Sequence, residues 1–224
     1  LMSTFEPEVY TEEQLAMIED HIEMYFGEIK HVFYELLSPD IHVDISVISP
    51  SPEKNFWTLI TTGMGSHTMN VPQGAEQLSR AELVVTLPPE WDLQNSTNEK
   101  WYWPIRWLKI LARLPIEHDT WLGWGHSVPN GQQFAENTCL SGMLLVDSPL
   151  VSEEAQSCAL TNDEEVQFYH LIPLYEDEMN FKISHSTQDL LELLLESSDF
   201  SHIIQINRKN TCATLSVSYT HLRA

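Results

Sequence analysis

The chain has 224 residues, 42% of them hydrophobic, which suits one domain with a substantial core. Eleven Lys and Arg against 33 Asp and Glu give a net charge of −22, a field that repels nucleic-acid phosphates and anionic membranes and attracts basic proteins. Three widely spaced cysteines, Cys139, Cys158 and Cys212, with no CxxC, speak for reduced thiols in a cytosolic protein and against a disulfide framework.

The first residues, LMSTFEPEVYTEEQ, carry neither a positive n-region nor an apolar run, so no secretory signal is expected. No apolar stretch approaches the ~18–20 residues of a membrane span. Thr11-Glu-Glu-Gln14 fits a capping box. Leu15, Ile18, Ile22, Tyr25 and Phe26 then line one helical face, which Gly27 ends. Residues 31–37 and 42–47 read as paired strands around the turn triplet Ser38-Pro39-Asp40. The second alternates polar and apolar, so one sheet face is expected to be buried and the other wetted or covered by polar groups. Residues 56–62, ended by Gly63, and 82–87 are further strands. Between them, Thr61-Thr-Gly-Met-Gly-Ser66 is the nearest approach to a phosphate loop. It lacks the Lys and the third Gly, and a tight connection needing φ > 0 is the better reading.

Residues 100–131 hold five of the chain's seven tryptophans. Trp103, Trp107, Ile110 and Leu114 recur at the spacing of a buried helical face, with Arg106, Lys109 and Arg113 on another. Pro104 suits a first turn, and Leu114-Pro115 is expected to close the helix. Trp103, Trp107 and Trp121 read as core. Trp101 and Trp124 fall off the apolar phase, and Trp124 is the candidate interface anchor. Residues 121–128 read as extended, 140–146 and 166–174 as strands, Glu176-Asp-Glu178 as a charged turn, 186–197 as a helix and 202–206 as a short last strand. Helices and strands mix without β-α-β alternation, which favours an α+β fold with a largely antiparallel sheet.

Sites of chemistry are sparse. His118, Asp119 and His126 flank a turn, with His31, His67 and His170 elsewhere, but the spacing matches no zinc signature. Asp163-Glu-Glu165 and Glu176-Asp-Glu178 lack the glycine and alternating ligands of an EF-hand and read as solvated surface. No nucleophile motif or P-loop occurs.

Six blocks, HVFYELLSPDIHVDISVI (31–48), WTLITTGMGSHTMNVP (57–72), RAELVVTLPPEW (80–91), WPIRWLKILARLP (103–115), DTWLGWGHSVPNG (119–131) and LIPLYEDEMNF (171–181), resemble in order and spacing the suppressor-of-fused domain family in its bacterial single-domain form. The resemblance covers roughly residues 10–213. It implies an α+β domain with a twisted, largely antiparallel central sheet and flanking helices, and it implies no enzyme. Animal members of that family are inhibitory binding proteins that clamp an extended peptide of a transcription factor, and bacterial members are regarded as immunity proteins against toxins. The resemblance further implies, for the animal groove, an acidic residue just before a histidine. Here that place falls at Gly125-His126, and only the histidine carries over.

The expectation is therefore a single domain over residues 1–213, with 214–224 read as a non-native or disordered tail. Its function is expected to be non-catalytic, cytoplasmic protein binding, as an immunity protein that neutralises a toxin by occlusion. The expected partner is a basic toxin or effector domain, not nucleic acid or membrane, and no cofactor or metal is expected. Within residues 117–126, Asp119, Trp124 and His126 are the expected partner contacts. The alternatives are a regulator sequestering an endogenous protein, and a metal-dependent enzyme using His118, Asp119 and His126.

Overall fold

In the computed structural model, which describes residues 6–213, an eight-stranded sheet organises the chain. Strands β1 (His31–Phe33), β2 (Asp44–Ile48), β3 (Trp57–Thr62) and β4 (Ala81–Leu87) form an antiparallel meander. The long β8 (Glu165–Leu174) lies parallel to β4 and is the one parallel neighbour among the named strands. On its far side β8 pairs antiparallel with β7 (Ser157–Ala159) at one end and with β6 (Gly142–Asp147) at the other. Beyond β6 lies β5 (Ser127–Pro129), so among the described residues the strand path ends at β1 and β5. This is the mixed, mostly antiparallel architecture expected from the sequence. The tail at 214–224 lies outside the described residues.

Side-chain parity sorts the strands onto two faces. Ile45, Val47, Leu59, Leu83, Val85, Met143, Leu145 and Leu171 pack with Trp103, Trp107, Leu108 and Leu111 of helix α2 (Glu99–His118). On the other face Ile48, Ile60, Val84 and Phe168 pack with Ile18 and Ile22 of α1 (Glu12–Tyr25). Further along that face Leu144, Val146, Ile172 and Leu174 meet Met179 of α3 (Glu176–Ser184) and Leu190 and Leu194 of α4 (Thr187–Glu196). Because both faces are covered, the polar side of β2 keeps only Asp44 partly exposed. Ser46 is buried and its hydroxyl bonds that of Thr62 at 3.0 Å.

The Thr11–Gln14 capping box opens α1 as expected, but Leu15 and Tyr25 stay over one-third exposed, so the buried stripe is narrower than the pattern. Helix α2 departs further. It begins five residues before Pro104 and runs through Pro115 to a left-handed Asp119 cap (φ 48°). Two interior prolines cost ~3 kcal/mol each by propensity. Both are buried in a helix that also buries Trp103, Trp107, Leu108 and Leu111, each contributing on the order of 1.5–3 kcal/mol, and packing wins. The buried face is 103/104, 107/108, 111/112 and 115, so Ile110 is not core but 42% exposed. Residues 34–37 are not strand, and 202–206 contribute a single bridge, Ile203 with Thr86.

The expectation of a solvated turn at Glu176–Glu178 is wrong. These residues form the first turn of α3, and Glu178 is fully buried. Arg208 binds it through both nitrogens at 2.5 and 2.7 Å and also donates to the Pro173 carbonyl at 2.9 Å. Thr211 adds an amide and a hydroxyl, each at 3.0 Å. The guanidinium lies 5.1 Å from the Tyr175 ring centroid, a placement with cation–π character. A bidentate Arg–carboxylate lock thus ties residues 208–211 to α3.

Candidate protein-binding site

Residues 119–129 run from the end of α2 to the sheet edge. The Asp119 and Thr120 amides both cap Pro115 O. The Asp119 carbonyl accepts from Asn70 Nδ2 at 3.3 Å, while its carboxylate makes no hydrogen bond or ion pair among the described residues and stands exposed. Next, Trp121 folds back over Gly123. A Cβ on Gly123 would lie 2.4 Å from the indole, which is why the position needs glycine. Gly125, at φ +79°, turns the chain toward the sheet, donating its amide to Leu145 O at 2.7 Å and accepting from the Thr187 hydroxyl at 3.2 Å.

His126 closes this loop. Its ring sits 4.4 Å from Trp121 in edge contact, and its Nδ1 accepts the Gly123 amide at 3.3 Å, so the proton belongs on Nε2. Burial, and then the nearby Lys182 ammonium, pull its pKa below the ordinary imidazole value. Lys182 itself, also lowered by burial, donates to Ser127 Oγ at 3.3 Å. Between the two glycines Trp124 stands 45% exposed.

Trp124 and His126 therefore share one loop, braced by Trp121, whereas Asp119 stands apart at the helix end. Among the described residues no group of three His, Cys, Asp or Glu is arranged to hold a metal ion, so His118, Asp119 and His126 do not converge. The sequence reading missed the neighbouring β5 edge and Lys182. The Asn130 amide bonds Ser141 O, and the His126 carbonyl accepts from Leu145 N. Alternation then turns the Ser127 N–H and C=O and the Pro129 C=O away from β6, to the outer side. Proline at 129 suits such an edge position. A three-residue strand ending in proline is too short to register by periodicity, though Ser-Val-Pro-Asn-Gly does carry turn punctuation.

Comparison with known proteins places the fold. The family model for suppressor of fused protein (SUFU) matches residues 39–209. Among solved structures, a SUFU homolog from Neisseria gonorrhoeae superposes with a TM-score of 0.66 at 16% identity, covering 90% of this chain and 98% of that one. The crystal structure of a Sufu–Fu complex matches with a TM-score of 0.65 at 15% identity, covering 98% and 99%. Drosophila Suppressor of Fused matches with 0.61 at 15%, covering 98% of this chain and 57% of that one. No curated protein matches the sequence significantly. With the family model spanning three-quarters of its length and the fold shared, the chain belongs to the suppressor of fused family, a family of protein-interacting regulators.

Proposed function

We propose that the chain is a non-catalytic binding domain that holds a protein partner at the β5 edge, with Trp124 as anchor and His126 setting the loop that presents it. The observation that carries this reading is the half-exposed Trp124 beside a strand edge that no other strand pairs with among the described residues. Aromatic anchors concentrate binding energy, and an open edge accepts an added strand. Asp119 supplies an exposed carboxylate on the approach. The charge of −22 steers a basic partner and speeds its encounter. The partner chemistry fits a basic toxin or effector domain in the cytoplasm, neutralised by occlusion. Among the described residues no helix is long and apolar enough to cross a membrane.

Affinity capture from source-cell lysate, washed from low to high salt, tests the proposal. The expected result is a stoichiometric basic partner that salt releases, that a Trp124→Ala bait fails to retain, and that is toxic when expressed without this chain. A non-toxic partner held through high salt favours the second reading, sequestration of an endogenous regulator. Family membership and the solved Sufu–Fu complex support that alternative. A partner retained equally by the Trp124→Ala bait contradicts the site.

A further inference from the structure

At the opposite edge of the sheet, three large apolar side chains stand in water on one loop. Tyr34, Leu36 and Leu37 are 71%, 93% and 86% exposed. Glu35, between them, points inward. Its carboxylate accepts from Arg113 at 2.5 Å, Ser38 Oγ at 2.9 Å and the Val43 amide at 3.1 Å, and its own amide donates to Asp44 Oδ1 at 2.8 Å. Arg113 also binds Asp40 at 3.1 Å and the Ile41 carbonyl at 3.1 Å. The loop is therefore held in place by a largely desolvated charge network while presenting its apolar side chains outward. Exposed apolar clusters of this kind mark interaction surfaces, and pre-ordering lowers the entropic cost of using one.

The loop leaves directly from β1, the outermost strand. The Lys30 amide donates to the Val47 carbonyl at 2.9 Å, so Val47 and Ile45 direct their backbone groups at β1. By alternation Val32, opposite Ser46, turns its N–H and C=O to the open side. No further strand pairs there among the described residues. Acidic groups flank this edge. The Glu19 carboxyl is pushed up by burial and then by Glu23, Asp20 and Asp44, and Asp44 is the group that holds the Glu35 amide. The cations nearby are engaged, Lys30 with Glu28 at 2.5 Å and Arg113 as described.

We infer that β1 and the 34–37 loop form a second docking surface, which takes an extended segment of a partner protein in which Lys or Arg alternates with Leu-like residues. The segment adds as a strand beside Val32. Its apolar side chains cover Tyr34, Leu36 and Leu37, and its cations face the carboxylates of α1. Charge selects this occupant. A second copy would bring another −22 against the same acidic flank, and an anionic lipid surface would be repelled likewise.

The test uses the full chain and two fluorescein-labelled peptides, an alternating Lys-Leu heptamer and its Glu-Leu counterpart, read by anisotropy at low and moderate salt. The Lys-Leu peptide should bind and the Glu-Leu peptide should not. The double substitution Leu36→Ser, Leu37→Ser should weaken the Lys-Leu peptide by about tenfold or more at unchanged thermal unfolding. Val32→Pro, which removes the outward N–H without touching a ladder bond, should weaken it as well. Trp124→Ala should leave it unchanged, which separates this surface from the β5 edge. Equal binding by the double variant would reduce the attraction to general charge and overturn the inference. Loss on Trp124→Ala, or a self-association in sedimentation that the double variant abolishes, would overturn it too.

Discussion

Two loops of this chain share one glycine pattern and do opposite things. Residues 61–66 read T-T-G-M-G-S and residues 121–126 read W-L-G-W-G-H. In the first, the residue between the glycines, Met64, is 1% exposed; in the second it is Trp124, 45% exposed. The difference lies in what faces each loop. The amides of Gly63 and Gly65 donate to Oε1 of the fully buried Glu82 at 2.9 and 3.0 Å. The Tyr10 and Thr61 hydroxyls add two bonds of 2.6 Å to the same carboxylate. The phosphate-loop look of 61–66 thus reflects a real cradle of hydrogen-bond donors, filled by the protein's own carboxyl side chain. The 121–126 loop has an imidazole in that role, accepting one amide, and its central side chain is left for a partner. A G-x-G turn sets backbone direction, and the acceptor it closes on decides whether the loop is core or surface.

The comparison breaks most severely at Glu82. Glu82→Ala leaves four buried donors without an acceptor and should cost about 3 kcal/mol or more in chemical unfolding, with Glu82→Gln milder because one oxygen remains. If Glu82→Ala unfolds like the parent protein, the cradle is not a folding element.

Acid should separate the loops by sign. Burial raises the Glu82 pKa, so its contribution is fully present below the unfolded carboxylate value and is lost as pH rises through the folded one. His126 is lowered, and His170, fully buried with Nε2 bonded to the His202 carbonyl at 3.2 Å, is lowered by burial to about 4. Unfolded histidines take up protons near 6.5, so these two stabilise the fold at neutral pH and lose that contribution as pH falls. For His170 the window runs from 6.5 to about 4 and amounts to roughly 3 kcal/mol in full. Stability measured across that window should fall with acid and fall less in His170→Gln. An unchanged slope in the variant would remove His170 from the account.

At the outward loop the effects are smaller and move to binding. Trp124→Ala should weaken partner affinity by ~2 kcal/mol while shifting folding stability by less than about 1 kcal/mol. Gly125→Ala, at φ +79° with Thr187 Oγ1 at 3.0 Å from the added Cβ, should cost about 1 kcal/mol. Gly63→Ala, whose Cβ would meet the His42 carbonyl oxygen at 1.9 Å, should cost far more, since backbone cannot yield as a hydroxyl can. Equal penalties would say that the two loops are alike after all.

Much of this fold was legible because local chemistry repeats. The Thr11 capping box and the polar/apolar alternation of residues 42–47 each announce an element within a few residues. What was hidden depends on partners distant in sequence. Pro104 and Pro115 read as helix ends, yet α2 runs through both while its Trp103, Trp107, Leu108 and Leu111 pack on a sheet face lined with Leu59, Leu83 and Val85. Glu178 reads as solvated until Arg208, thirty residues on, covers it. Of the candidate contacts, Trp124 could be singled out because it falls off the helical phase. The β5 edge beside it could not, since an edge is a property of the whole sheet.

Hydrogen–deuterium exchange on the chain with and without its captured partner tests the central claim most directly. The account predicts slowed exchange at residues 124–129, on the Trp124 loop and the β5 edge. Protection confined to other segments, with 124–129 exchanging as in the free protein, would contradict it.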